Sequence, residues 1–567
     1  MKRAIILCLL VSVALGSNAQ SYRGNYSMGL RMDDDSYAKV PQLATQLTRG
    51  YRALPPSHSL KRFCPTPQSQ GQYGTCTSWA TAYAARTIAE AVKNNWTSQA
   101  IIDREAFSPP FIYKQIKLKD DINCQFGSCI DEAMEILKTK GTPKYNAFHP
   151  MCTSSIPVEL FTSAYDYRID NYFRLFSVND EASAKINKTK MALSEDCPVV
   201  IGMKCYDSFS DATDVWSGEK DTLRGGHAMC VVGYDDNKYG GAVLIMNSWG
   251  TRWGNGGFTW VRYSDYASCT KYAYQMYVAK GAPQPRPQPA PVPKPANGGI
   301  TFTWTSTTAA KSSKYALKVL VDAPDIITDT RVLVNGILSR GIVPVENDGH
   351  KYAINKMLTL AEGQNKITVE VTSGGKTARI EKTVVCTTIV EHTLSGSFYV
   401  QLATGENMGV SRVTGTGLPR FRADDSYISG TRYRVYIQNN EPAYVYVLSS
   451  DLTNKVGKVF PPADSISPAL LYHSNYIAIP NEKYYMQMDN TVGTDYLCVL
   501  YSKEPMDINT VVAKLNASSG DIYKRLSSVL GAEIVPSYNA GIEGASIAFK
   551  AKSSKKLVPL VLEVTHK

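Results

Sequence analysis

The sequence predicts an α+β unit with two lobes followed by an all-β remainder, and three observations carry that prediction. Helical spacing is confined to the early part of the chain. Ala80 to Val92 is Ala-rich with helical spacing, and Asp131 to Lys140 is amphipathic and stops before Gly141. From Val199 onward the pattern turns to short apolar or alternating runs: VVIGM, HAMCVVGY, AVLIMNSW, GFTWVRY and YAYQMYVA. Helices first and an antiparallel sheet later imply segregated layers. Third, prolines alternate from Pro283 to Pro295 in APQPRPQPAPVPKP. Such a run has too few N–H donors for a ladder, forms an extended polyproline-type spacer and divides the chain.

Taken in order, residues 1–19 read as a secretory signal. Lys2 and Arg3 precede an apolar run from Ala4 to Leu15, and Ser17 and Ala19 supply small residues before a cut at Gln20. The run is too short to cross roughly 30 Å of hydrocarbon, and Cys8 lies inside it rather than after a cleavage site, which argues against a lipid anchor. Residues 20–50 form a short extension, 51–280 the two-lobed unit, and 281–299 the linker. Residues 300–386 contain YALKVLVD, RVLVNG, KITVEVTSGGK and ARIEKTVV; about seven short strands there suggest an immunoglobulin-like sandwich. Residues 387–567 are β-rich, with one helix expected from Thr510 to Leu530.

Composition narrows the functional classes. The 567 residues suit several domains of roughly 150. Hydrophobic residues at 44% and charged ones at 20% exclude wholesale disorder. Lys+Arg minus Asp+Glu is 61 − 50 = +11, but the positive charge is dispersed. Only Lys550, Lys552, Lys555 and Lys556 cluster, as a solvated surface, so no nucleic-acid partner is expected. No later window looks transmembrane. A secreted or periplasmic, oxidising setting fits the twelve Cys as a few bridges rather than a disulfide scaffold.

The segment that carries chemistry is Gln70-Gly71-Gln72-Tyr73-Gly74-Thr75-Cys76-Thr77-Ser78-Trp79. Cys76 stands where the Ala-rich helix begins, with Thr75 as the expected N-cap. The positive end of the helix dipole and a nearby imidazolium would favour thiolate there. His227, opening the apolar strand in GGHAMCVVGY, is the candidate base. Asn247, in NSWGTRWG, could accept the imidazole N–H and aim the ring at sulfur, and Trp249 could cover that bond. Gln70 and the Cys76 N–H could hold a developing oxyanion. Each residue alone is a weak signal; the ordered set is specific.

With those residues the sequence resembles the papain family of cysteine peptidases over about residues 51–280. The resemblance implies a helical lobe and a β lobe with the site between them. It implies Cys76 as nucleophile, His227 as general acid/base, Asn247 as the orienting residue, Gln70 in the oxyanion hole and Trp249 shielding the leaving-group side. Ala228 and Gly127 match substrate-binding positions on the acyl side. A resting thiolate–imidazolium pair is expected. Two positions depart from the family pattern: Tyr73 stands where a disulfide Cys is usual, and Thr77 follows the nucleophile in place of Trp. The extension of residues 20–50 is too short for the usual pro-domain. One disulfide within Cys124, Cys129 and Cys152 is implied. The eight Cys besides Cys76 in this unit allow 105 pairings, so connectivity stays open. A metal site is disfavoured because His partners at zinc spacing are missing, and no cofactor is required.

The stretch YRVYIQNNEPAYVYVLSSDLTNKVGKVFPP, with YIAIP and YLCVLYS after it, resembles a domain of unknown function appended to bacterial enzymes. The expected activity is peptide-bond hydrolysis by a secreted cysteine peptidase acting on a peptide or protein. The C-terminal units would space it or bind a surface polymer. The alternatives are an inactive papain-like adhesion protein or another acyl transferase on the same scaffold.

Overall fold

The computed structural model describes residues 26–45, 54–278 and 299–567, apart from residue 154 and short stretches at 340–344, 349, 362, 387–390, 416 and 473–474. The expected signal segment and the proline run Pro283 to Pro295 lie outside the described residues.

The first unit mixes helices with one antiparallel sheet, as the α+β expectation requires. Its central helix runs unbroken through Cys76–Ser78, Trp79–Arg86 and Thr87–Lys93, with wide π-type turns in the middle segment. Thr75 holds the cap position, but its ψ of 15° keeps the hydroxyl off the first-turn N–H groups, so it does not cap as expected. The second expected helix spans Ile130–Thr139.

The sheet order is Asn171–Arg174, Thr270–Tyr277, Val199–Tyr206, Leu223–Asp235, Ala242–Met246 and Phe258–Arg262, all neighbours antiparallel. Leu223–Asp235 is central, and from Ala228 to Tyr234 every residue is buried. Burial on both faces marks it as an interior strand of the sheet.

The remainder is β-rich. Two sheets of four and five strands enclose a core that includes Leu317, Val319, Ile354, Val369 and Val371. Two larger sheets, of six and seven strands, follow from His392 to His566. The single helix expected from Thr510 to Leu530 is two helices, Ile508–Ala517 and Ile522–Leu530. Gly520 sits at φ +101° between them, and Asp521 restarts the second by accepting the Lys524 N–H (2.9 Å).

The C-terminal sheets pack directly on the first unit. Tyr444, Tyr446, Leu448 and Leu471 share one buried cluster with Tyr274 and Met276. At this junction the Tyr472 hydroxyl donates to Oε1 of the buried Gln275 (2.6 Å). The second group of strands touches it through Lys318 and Asp166 (2.5 Å).

Of the three cysteines singled out, Cys124 and Cys152 are bridged and Cys129 is free. Cys230, Cys386 and Cys498 are buried free thiols. The bridge closes 28 residues of sequence separation beside the cleft, where the Gly74 N–H donates to the Cys124 carbonyl (2.8 Å). Chain-entropy arguments make such a loop worth about 3.6 kcal/mol. Cys152→Ser should therefore lower the unfolding free energy by that order, read as a lower denaturant midpoint, and adding reductant should abolish the difference from wild type.

Candidate active site

Two backbone features bring the candidate residues together. The helix beginning at Cys76 aims its first turn at the strand Leu223–Asp235, and the Ala228 N–H donates to Cys76 Sγ across the lobes (3.4 Å). One residue earlier, Nε2 of His227 donates to Asn247 Oδ1 (2.8 Å). The Ser248 N–H donates to the same oxygen (2.8 Å), which fixes the amide with its oxygen toward the ring. Nδ1 of His227 has no hydrogen-bond partner among the described residues. The Trp249 ring stacks on the imidazole at 4.6 Å and 24°. Gln70 is held by the Ser248 hydroxyl, which donates to its Oε1 (2.6 Å), so its Nε2 faces the cleft. Gly127 flanks the cleft at φ +77°.

The cleft is filled by the chain's own residues 26–33. Tyr26 stacks on Trp249 at 4.6 Å and 8°. The Ser27 carbonyl accepts from Gln70 Nε2 (3.2 Å) and Trp249 Nε1 (3.1 Å). Gly29 crosses over Cys76, with its N–H directed at the sulfur. Its carbonyl accepts the Ser128 N–H (2.9 Å), and the Arg31 N–H returns to the Ser128 carbonyl (3.0 Å). The Leu30 N–H donates to the Gly226 carbonyl (3.2 Å).

Glycines make this path possible. A Cβ on Gly29 would lie 1.9 Å from the Gly74 carbonyl oxygen, and one on Gly127 would lie 2.3 Å from the Gly29 oxygen. Gly202 and Gly226 form the cradle for Leu30: a Cβ there would come within 2.8 Å of Leu30 Cδ2 and 2.7 Å of the Leu30 carbonyl oxygen. Arg31 then pairs with Glu132 (2.9 Å).

Sequence reasoning missed Gly29, Leu30, Ser128, Gly202 and Gly226. Backbone pairing in the cleft runs through Ser128, and Gly127 supplies the clearance. Thr77, the departure from the family pattern, hydrogen-bonds its hydroxyl to that of Ser128 and so ties the helix start to the pairing residue.

The segment overhead sets the charge state. Cys76 and His227 are fully buried. Burial lifts the thiol to about 11, against the opposing pull of the Ala228 and Gly29 N–H groups. Burial also depresses the imidazole to about 4, only partly offset by Asn247. Both shifts oppose charge on the pair, against the ion pair expected, because water that would solvate the charges is displaced. His227 binds fewer protons folded than unfolded between its ordinary 6.5 and about 4, so its share of stability is present above that window and lost as pH falls through it. The thiol's share is present below its ordinary 9.0 and lost as pH rises toward about 11. Calorimetry should show a steeper fall in wild-type melting temperature from pH 6.5 to 4 than in His227→Gln. Above pH 9 the steeper fall should be against Cys76→Ala.

Residues 61–279 match the model of the papain family cysteine proteases, and residues 426–505 match a domain of unknown function, DUF4384. A peptidase C1-like protein of Acanthamoeba polyphaga mimivirus, itself uncharacterized, is 27% identical over 217 residues, 35% of this chain and 66% of that protein. Among solved structures, xylellain, a cysteine protease from Xylella fastidiosa, is 23% identical and aligns over 45% of this chain and 96% of its own, with a TM-score of 0.36. Digestive procathepsin L 3 of the Tenebrio molitor larval midgut is 16% identical over 45% of this chain and 83% of its own, with a TM-score of 0.32.

Proposed function

We propose that this chain is an exported papain-like cysteine peptidase held latent by its N-terminal segment, residues 26–45, hereafter the strap. The observation that carries the reading is that the Ala228 N–H donates to Cys76 Sγ across the lobes while the preceding residue, His227, is held by Asn247 and stacked under Trp249.

With the strap displaced and water admitted, His227 Nδ1 takes the Cys76 proton, and the thiolate attacks a peptide carbonyl carbon. As the C–S bond forms, the carbonyl electron pair moves to oxygen, which Gln70 Nε2 and the Cys76 N–H hold. The imidazolium then protonates the leaving amine as the C–N bond breaks, and His227 next activates water to release the acyl group. In the latent state the Ser27 carbonyl has taken the Gln70 donor.

Polarity explains why the strap survives in such a site. Its N-terminal end lies at Trp249, the proposed leaving-group side, and its later residues lie at Gly226, Gly127 and Ser128, the proposed acyl side. A substrate places its N-terminal part on the acyl side. The strap runs the other way, so none of its carbonyls meets the sulfur as a substrate carbonyl would.

The leader-like residues 1–19 and the Cys124–Cys152 bridge support export to an oxidising compartment. Among the described residues no helix is long and apolar enough to cross a membrane. We assign the strands of 300–386 to spacing. On the C-terminal unit, Tyr399 and Tyr436 stack at 4.9 Å, and Arg434 lies 3.7 Å from the ring centroid of Tyr485; these groups suit a surface polymer.

An epoxide reagent selective for activated thiols tests the reading. Gly29→Ala should expel the strap and speed labelling at least tenfold over wild type, and Cys76→Ala should abolish the adduct. In the Gly29→Ala background, Gln70→Ala should lower peptide turnover roughly 10²–10³-fold. An unreactive Gly29→Ala protein, or an adduct on another residue, would remove the peptidase assignment.

A further inference from the structure

Beyond the cleft the strap continues into a junction that the peptidase reading does not use. Asp33 caps the short helix Asp34–Lys39 through the Ser36 N–H (2.9 Å). Asp34 accepts from Tyr272 Oη (2.5 Å) and from Lys271 Nζ (2.9 Å), which together hold its carboxyl below the usual range. Tyr37 is buried, and its hydroxyl donates to the Phe176 carbonyl (2.6 Å).

The chain then enters a two-sided clamp. On one side the Arg174 N–H donates to the Pro41 carbonyl and the Leu43 N–H to the Arg174 carbonyl (both 3.1 Å), which extends the sheet of the first unit by one short parallel pairing. On the other side the Gln42 N–H donates to the Ser465 carbonyl and the Ser467 N–H to the Gln42 carbonyl (both 2.8 Å). Gln42 is thus paired to both units at once. Gln42, Leu43, Arg174 and Ser467 are all buried. Tyr472, five residues beyond Ser467, anchors the same segment to Gln275 on the strand Thr270–Tyr277, next to the Arg174 strand.

We propose that the C-terminal unit is the latch of the strap: its segment 465–472 holds residues 41–43 in place, and undocking that segment weakens occupancy of the cleft. The proposal rests on the latent-peptidase reading. The reason is linkage. Buried backbone hydrogen bonds on both edges of Gln42 form only when the C-terminal unit is docked and the strap is in, so each state stabilises the other. If the bonds to Ser465 and Ser467 break, Gln42 loses the edge against the C-terminal unit and only the edge against Arg174 remains. What lies between this clamp and the cleft is one short capped helix of 6 residues, which gives the strap little slack.

The test uses the full chain and the rate of Cys76 labelling by the same epoxide. Ser467→Pro deletes the N–H bonded to the Gln42 carbonyl and lies wholly in the C-terminal unit. Gln42→Pro deletes the N–H bonded to Ser465. Tyr472→Phe removes the anchor on Gln275 while keeping the ring. Each should label 5- to 30-fold faster than wild type, with Gly29→Ala marking the fully open rate. Lys351→Ala, which removes a contact of 3.5 Å to Glu159 elsewhere between units, should leave the rate unchanged. Should a proline variant fail to fold, Tyr472→Phe decides. Wild-type rates in the folded clamp variants, alongside fast labelling of Gly29→Ala, would overturn the latch and leave the peptidase reading intact. Failure of Gly29→Ala to label would overturn both. Equal acceleration by Lys351→Ala would show general loosening of the units and would also overturn the latch.

Discussion

Gly29 passes over Cys76 with no space for a side chain, and the state of the whole cleft depends on that passage. Two glycines make it: Gly29 itself, which lies against the Gly74 carbonyl, and Gly127 beside it. The resulting depth turns the Gly29 N–H toward the sulfur, delivers Leu30 to the Gly202 and Gly226 cradle, and leaves His227 buried. Close approach of backbone to backbone is the reason glycine is needed at such points.

Sealing has an electrostatic consequence. A charged pair at Cys76 and His227 would need water or compensating dipoles, and the closed cleft offers only a few N–H groups. Neutral partners are therefore favoured, and ionisation is coupled to opening. The same groups can sit in the same places in two states of very different nucleophilicity, with desolvation as the switch between them.

The strap also shows why the units are packed together as they are. Residues 41–43 pair with the free edge of the sheet at Arg174, where the strand Asn171–Arg174 would otherwise expose ladder groups. Segment 465–467 then covers the strap in turn. Tyr444, Tyr446, Leu471 and Tyr472 continue the core of the first unit into the last, so the interface resembles a domain interior more than a linker contact.

Much of the site was legible because its residues sit on local backbone features that sequence records. Cys76 opens a helix, His227 and Ala228 lie in a buried strand, and Asn247 to Trp249 begin a glycine-rich turn. The α+β class followed from the same local periodicities. Less local features were not legible. The break at Gly520 was hidden because the flanking segments are both helical in pattern. Ser128, Gly202 and Leu30 lie far apart in sequence, and only the folded chain makes them neighbours. Thr75 has the right side chain for a cap and the wrong ψ angle.

By itself, then, the sequence determined which chemical groups are present and which local elements carry them, because helix starts, strand cores and glycine turns depend on short-range sterics and periodicity. The tertiary structure alone decided what surrounds those groups: the strap over Cys76, the pairing of Gln42 to two units, and the burial that disfavours charge on the thiol and imidazole. Protonation and access depend on solvation, and solvation is a property of everything packed around a group rather than of the residues beside it in the chain.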